Sequence, residues 1–218
     1  MLLDRIRAAR LPILLGSAAL VVAAVRLPLW GMTLVSTQFP EGLRMVVYPN
    51  RIIGDINELN TLNHYIGMMP ISDGFFTELR ILPAAFLAIA ALLAVAAVVR
   101  RAWSTALPLA AMGALAGYGG WSMVHRLYQF GHDLDPRAAI HIEPFSPPML
   151  GFNQIAQFAT WSYFSWGTFL PLVAGLLAAA VLVADLRAGR GTTAPAGATR
   201  GGTSPAAGLS VKPSSLAA

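Results

Sequence analysis

The sequence contains no cysteine among its 218 residues. This absence excludes disulfide bonds, thiolate zinc sites, iron–sulfur clusters, covalently attached c-type haem and copper centres with two cysteine ligands, because each of these groups requires a thiol. Imidazole and thioether groups remain as the nitrogen and sulfur ligands with which the chain could bind a metal.

Charged residues are also scarce. Only 11% of the residues are Asp, Glu, Lys or Arg, whereas 56% are hydrophobic and the mean hydropathy is +0.61. A soluble domain carries about 25% charged residues, so this balance predicts a membrane protein with the lipid bilayer as a partner. We attribute the formal net charge of +5 to the placement of arginines around a membrane, and we expect no nucleic-acid partner.

Apolar and polar segments alternate along the chain, and this alternation predicts an all-α membrane protein with four transmembrane helices and two outward loops that form a small cap. A helix needs about 20 residues to cross a bilayer. The first apolar stretch resembles a signal peptide, but it continues past Arg26 and Pro28, which favours an uncleaved helix. The predicted segments are 1–36 (N-terminus and first transmembrane helix), 37–80 (first periplasmic loop), 81–99 (second helix), 105–124 (third helix), 125–160 (second periplasmic loop), 161–186 (fourth helix) and 187–218 (disordered cytoplasmic tail).

Arginines mark one side of the predicted helices. They precede the first helix, separate the second from the third and follow the fourth: Arg5, Arg7, Arg10, Arg100, Arg101, Arg187 and Arg190. By the positive-inside rule this side is cytoplasmic, which predicts a multi-pass protein of the bacterial inner membrane with both termini in the cytoplasm. A transporter is disfavoured because the clearest ionisable residue within a predicted span, Arg26, lies near its outer end, where the side chain can reach the interface.

The first loop is predicted to contain a short strand, LRMVVY, and a helix over residues 55–66. Asp55 and Glu58 have the spacing of a capping box at the start of this helix, and Gly67 is placed to end it. Polar side chains on this helix and just after the third span are exposed in this prediction. They are the candidates for contact with a protein partner: Asn60, His64, Tyr65, Asp133 and Asp135.

The four histidines and three of the methionines lie in the two predicted loops, at His64, His125, His132, His141, Met68, Met69 and Met149. Imidazole with thioether suits copper, particularly Cu(I). The candidate metal ligands are His64, His125, His132 and Met68. The axial rise between His125 and His132 is about 10 Å on an unbroken helix, so one ion could bind both only if the helix broke at Gly131; we therefore expect His64 to approach one of them.

Each of these residues also has an ordinary structural interpretation. A histidine can satisfy both ring nitrogens by hydrogen bonds within the loops, and methionine commonly fills apolar gaps. A b-type haem is less favoured, because most of the histidines lie outside the predicted spans. No nucleophile–base arrangement, phosphate-binding glycine loop or carboxylate pair is recognisable, so we predict no catalytic residues and a protein that is more plausibly not an enzyme.

Three stretches carry a resemblance to a known family. They are FPEGLRMVVYPNRIIGDINELNTLNHYIGM from Phe39, FGHDLDPRAAIHI from Phe130 and FSPPMLGFNQI from Phe145. Together they resemble the NosB-like family, small four-span membrane proteins encoded among the accessory genes of bacterial nitrous oxide reductase. The resemblance implies association with a periplasmic copper enzyme through electron supply, copper handling or complex assembly.

Two functional hypotheses follow. The first is a non-enzymatic membrane accessory protein whose periplasmic loops dock a redox or copper-enzyme partner, or another protein of a respiratory or copper-maturation complex, in nitrous oxide respiration. The alternative is a copper-handling or quinol-linked electron-transfer module that uses the periplasmic histidines.

Overall fold

The computed structural model describes residues 2–72, 74, 76–155 and 158–191. This part of the chain contains six α-helices, one short 3-10 helix at Thr77–Arg80 and five β-strands. The helices are α1 (Leu2–Ala8), α2 (Arg10–Ala24), α3 (Ile56–Ile66), α4 (Leu82–Val98), α5 (Ala102–His132) and α6 (Trp166–Gly191). The strands are β1 (Trp30–Val35), β2 (Leu43–Tyr48), β3 (Arg51–Gly54), β4 (Gly151–Ile155) and β5 (Phe158–Phe164).

The strands form one antiparallel sheet in the order β3-β2-β1-β5-β4. The central strand, β1, follows Pro28, which disfavours helical geometry in the residue before it. Its sequence WGMTLV includes aromatic and β-branched residues, which pack well on a pleated surface. β1 pairs with β2 on one side and with β5 on the other. The chain is therefore built from a helical part and a sheet, joined where α2 leads into β1 and where β5 leads into α6.

The prediction of an all-α protein with four transmembrane helices is wrong. Besides the sheet, the described residues contain one helix, Trp166–Ala188 within α6, that is long and apolar enough to cross a membrane, with a mean hydropathy of 2.3. The bent pair α1 and α2, whose axes differ by 69°, would be a second if counted as one span. α4 is apolar but has only 17 residues, fewer than the roughly 20 that a crossing needs.

Several predicted boundaries are wrong because residues that were assigned to helices or loops belong to the sheet. The predicted first helix ran to residue 36, but α2 ends at Ala24 and the chain then enters β1. The predicted fourth helix began at residue 161, yet Phe158–Phe164 is strand β5 and the helix starts at Trp166. The predicted loop 125–160 holds the end of α5 and strand β4.

Other predicted elements are confirmed or shifted slightly. LRMVVY forms β2, and the predicted helix in the first loop is α3, which ends at Gly67 in the left-handed conformation with φ 76°. The capping box is wrong, because Oδ2 of Asp55 accepts a hydrogen bond from the backbone N–H of Arg44 at 2.8 Å. The predicted tail started at residue 187, whereas α6 continues to Gly191; residues 192–218 lie outside the described part.

Two apolar cores hold the protein together. The first lies among α2, α4, α5 and α6 and is lined by side chains such as Leu14, Val21, Leu93 and Val181, each at most 1% exposed. The second lies between one face of the sheet, α3 and the end of α5, and includes Trp30, Leu43, Met45, Leu59 and Phe130. One face of the sheet is therefore covered by helices, and alternate side chains along the same strands point to the other face.

Candidate functional site

The described histidines are not gathered around a common point. No group of three or more His, Cys, Asp or Glu side chains in the described ranges could hold a metal ion. Helix α5 continues without a break through Gly131 to His132, so His125 and His132 remain about 10 Å apart along its axis. The His125 ring stacks on Trp121, with ring centroids 5.3 Å apart, and the His132 ring stacks on Tyr128 at 3.7 Å.

The other candidate metal ligands have separate surroundings. The His64 ring is exposed beside Tyr65, with centroids 6.3 Å apart. Nε2 of His141 lies 3.1 Å from the carbonyl oxygen of Pro136. Met68 packs against the apolar core beneath the sheet. The geometry does not join His64 to His125, His132 and Met68 in one site.

Asn60 has an internal role. Its Nδ2 donates to the carbonyl oxygen of Ile71 at 3.0 Å, and its Oδ1 accepts from the N–H of Ile71 at 2.6 Å. These two bonds satisfy both backbone polar groups of a buried residue. Asn60 therefore holds the segment after α3 in place, and its amide is occupied by this contact.

Tyr65, Asp133 and Asp135 are exposed where the two predicted loops meet. The backbone N–H of Ile140 donates to the carbonyl of Tyr65 at 3.0 Å, and the N–H of Asp135 donates to the carbonyl of Gly67 at 2.8 Å. These hydrogen bonds confirm the expected contact between the loops. The three side chains surround a fixed junction and remain candidates for contact with a partner.

An exposed apolar surface lies on the side of the sheet that the helices do not cover. We call it the open sheet face and define it by Phe152, Trp161, Tyr163, Ile53 and Val46. Phe152 and Trp161 are directly opposite each other on β4 and β5 and are 59% and 56% exposed. The alternating neighbour Ser162 is 1% exposed, so the strand separates a buried face from an open one.

Gly31 shapes the centre of the open sheet face. It pairs with Tyr163 across β1 and β5, and a Cβ atom at this position would lie 2.7 Å from Cζ of that tyrosine. The ring therefore rests on the backbone of β1. On the other side of Gly31, Val46 and Ile53 continue the apolar surface across β2 and β3.

A partly buried ion pair joins the short 3-10 helix to α5. Oε1 of Glu78 accepts from Oγ of Ser122 at 2.6 Å and from Nη2 of Arg126 at 3.2 Å. Oε2 is buried and has no hydrogen-bond partner among the residues that the structure describes. Burial raises the pKa of Glu78, but the hydrogen bonds from Ser122 and Arg126 outweigh burial, so the pKa lies below its ordinary value.

Charged side chains also converge at the end of the helical part that lies farthest from the sheet. We call this region the arginine end and define it by Arg7, Arg10 and Arg100 with Asp4 and Asp185, which line a cleft of about 380 Å³. Arg10 is 4% exposed. Its guanidinium donates to Ala96, Val99, Ser104, Thr105 and Asp185. One side chain thus connects α2 with α4, α5 and α6.

The sequence carried signals for both the arginine end and the open sheet face. Asp185 is an acid inside a long apolar segment, and such a residue normally has a charged partner. Which residue is that partner, here Arg10, depends on how the first and last helices pack. The segment FATWSYF of β5 is rich in aromatic and β-branched residues, but it precedes an apolar helix directly. The sequence alone therefore predicts loop and helix for this segment.

The arrangement defines a class of protein: apolar helices with one buried ion-pair network at their far end, joined to a five-stranded antiparallel sheet that has one open face. Comparison with known proteins matches no family model, no curated protein and no solved structure.

Proposed function

We propose that this protein is a membrane-attached accessory factor, without catalytic activity of its own, that docks a protein partner on the open sheet face. Membrane attachment is supported by the outer surfaces of the helices. One helix, Trp166–Ala188, is long and apolar enough to cross a membrane. Large apolar side chains are exposed around the helical part, for example Leu172 at 58%, Leu176 at 64%, Val95 at 55% and Leu107 at 50%.

Exposed apolar side chains in this number are unfavourable in water and are matched by lipid chains. In the proposed arrangement α6 crosses the bilayer, and the shorter helix α2, which packs on it, lies beside it. The arginine end then faces the cytoplasm of a bacterial inner membrane by the positive-inside rule, and the sheet lies on the periplasmic side.

The open sheet face is the observation that carries the docking proposal. Phe152 and Trp161 form a cross-strand aromatic pair in which both residues are mostly exposed, and the Tyr163 ring lies against Gly31 of the neighbouring strand β1. Exposed aromatic side chains on a rigid strand lose little conformational freedom when a partner covers them, and such residues dominate many protein interfaces. The pairing with β1 makes this surface rigid, because β5 lies within the sheet.

The resemblance to the NosB-like family supports the choice of partner. We propose that the open sheet face binds the periplasmic copper enzyme that reduces nitrous oxide, or a complex on its maturation route. Neither copper nor quinol needs to bind this chain in that role. The separation of His125 from His132 along α5 supports docking over the alternative of a copper site built from the histidines.

Binding of the full-length protein, reconstituted in lipid nanodiscs, to purified nitrous oxide reductase tests the proposal. The variant Phe152→Ser with Trp161→Ser should bind at least 30-fold more weakly, since loss of a central aromatic residue typically costs about 2 kcal/mol or more. Tyr65→Ser is the control, because Tyr65 is an aromatic residue of similar exposure, 51%, on α3.

Three results would count against the proposal. Unchanged binding of the double variant with weakened binding of Tyr65→Ser would place the docking surface on α3. Absence of binding by the wild-type protein would remove this enzyme as the partner. Stoichiometric copper on the purified protein, lost in His64→Ala, would favour the copper-handling alternative.

A further inference from the structure

We propose that the arginine end is a binding site for the phosphate headgroup of an anionic phospholipid. This inference rests on the proposed membrane attachment, which supplies the ligand. It also assigns the cleft a specific occupant, which the docking role of the sheet does not require.

The charged side chains of the cleft differ in how far they are committed to internal contacts. Each nitrogen of the Arg10 guanidinium donates to at least one buried or part-buried acceptor, and Nη1 donates to the carboxylate of Asp185. Arg10 and Asp185 are therefore committed to each other and to the helix ends. Arg7 is different, because its side chain is 61% exposed and its Nε lies 4.0 Å from Asp185.

Positive charge exceeds negative charge among the residues that line the cleft. Arg100 is exposed and faces the same cleft from the turn between α4 and α5. Arg7 and Arg100 thus present two guanidinium groups to a cleft in which Asp4 is the one acid, among the lining residues, outside the Arg10 network. Guanidinium groups bind phosphate oxygens in bidentate geometry, so the surplus positive charge suits a phosphate group.

The apolar surroundings of the cleft favour a lipid as the source of the phosphate. Large apolar side chains around this end are exposed, including Leu2 at 72%, Val98 at 72%, Trp103 at 60% and Leu186 at 47%. α1 turns by 69° from α2, which is the geometry of a helix lying along the membrane surface while its neighbour enters the bilayer. A ligand with one phosphate and two acyl chains satisfies the arginines and the apolar rim together, whereas free phosphate would satisfy the arginines alone.

The test compares full-length protein in nanodiscs of phosphatidylcholine with protein in nanodiscs that also contain phosphatidylglycerol, followed by native mass spectrometry of retained lipid. Wild-type protein should retain phosphatidylglycerol selectively. Arg7→Gln with Arg100→Gln should bind it about 25-fold more weakly, because each basic residue near an anionic surface contributes about a factor of five. Arg7→Lys with Arg100→Lys should restore part of the binding.

The control variant is Arg51→Gln with Arg137→Gln, which removes the same charge from exposed positions away from the cleft and should retain phosphatidylglycerol like the wild type. Equal loss in this control would show a general charge effect and overturn the site. If inorganic phosphate stabilised the protein as much as phosphatidylglycerol does, the lipid assignment would be overturned.

The failure of this inference can be told apart from failure of the proposed function. If the protein enters phosphatidylcholine nanodiscs but shows no preference for phosphatidylglycerol, the headgroup site is wrong and the membrane attachment stands. If the protein enters no bilayer, both fail.

Discussion

At the scale of single residues, the Arg10–Asp185 pair shows how an apolar helical assembly tolerates charge. The two side chains are 5% and 13% exposed, and Arg10 is further satisfied by carbonyl and hydroxyl oxygens from α4 and α5. A buried charge is stable only when it is paired and hydrogen-bonded. Asp185 could be recognised as unusual from the sequence, whereas its partner, 175 positions away, could not.

Replacement of Asp185 should therefore destabilise the protein strongly. Asp185→Ala leaves Arg10 buried without its counter-ion, and loss of one partner of a buried pair typically costs about 3–5 kcal/mol. Thermal unfolding in detergent measures the effect, with exposed Asp133→Ala as the control. The double variant Arg10→Met with Asp185→Leu should lose less stability than Asp185→Ala. An equal or larger loss of stability in the double variant would contradict this explanation.

Glu78 makes stability depend on pH. Its pKa is lower in the folded protein than the ordinary value of 4.5, so the contribution of its carboxylate is present above that value and is lost as the pH falls through the lowered pKa. Unfolding midpoints measured from neutral pH to below about pH 4 should fall for the wild type. The Glu78→Gln variant should be less stable than the wild type at neutral pH, and its unfolding midpoint should fall less on acidification. An acid dependence equal to that of the wild type would exclude Glu78 as a contributor.

At the scale of elements, α3 and β2 could be predicted because their signals are local. The helix has an apolar stripe and ends at Gly67, and β2 is a short β-branched run followed by a turn. β1 and β5 could not be distinguished from apolar helix. Each directly follows or precedes a long apolar segment, and they pair with each other across about 130 positions of the chain. Their strand geometry is a product of that distant pairing.

The segment before β4 is fixed to α5 at Gly131, a contact that predicts a specific steric requirement. The N–H of Phe145 donates to the carbonyl of Gly131 at 3.0 Å, and a Cβ on Gly131 would collide with the carbonyl of Phe145. Gly131→Ala should destabilise the protein by about 1–3 kcal/mol, as other overpacking substitutions do.

Gly117→Ala is the matched control on the same helix, because a Cβ there would meet nothing within 4 Å. It should be neutral or stabilising by up to about 1 kcal/mol, since alanine favours helix over glycine. Chemical or thermal unfolding distinguishes the two variants, and limited proteolysis reports whether residues 140–150 detach in Gly131→Ala. Equal effects of both substitutions would show that the contact with Phe145 is unimportant.

At the scale of the whole molecule, the two ends of the helical part differ in chemistry. One end carries Arg7, Arg10 and Arg100, and the other continues into the sheet with its exposed aromatic pair. The sequence was sufficient to predict that arginines gather at one end of the apolar helices, as Arg7, Arg10 and Arg100 do. It was insufficient to predict how many helices are long enough to cross a membrane, because α2 and α4 are shorter than the apolar runs that contain them.

The proposed orientation predicts which end is accessible from outside the cell. The chain has no native cysteine, so single cysteines report their own positions. Glu143→Cys, exposed before β4, should react with a membrane-impermeant maleimide in cells with a permeabilised outer membrane, because the sheet is placed in the periplasm. Arg187→Cys, exposed near the end of α6, should react only after lysis.

The comparison is controlled by Leu176→Cys, which is 64% exposed on the middle of α6. If this part of the helix lies in lipid, its thiol should react slowly from either side, since thiolate formation and maleimide access both require water. Rapid labelling of Leu176→Cys in intact membranes would contradict the bilayer location of α6. Labelling of Arg187→Cys from outside, with protection of Glu143→Cys, would invert the orientation and place the open sheet face out of reach of a periplasmic enzyme.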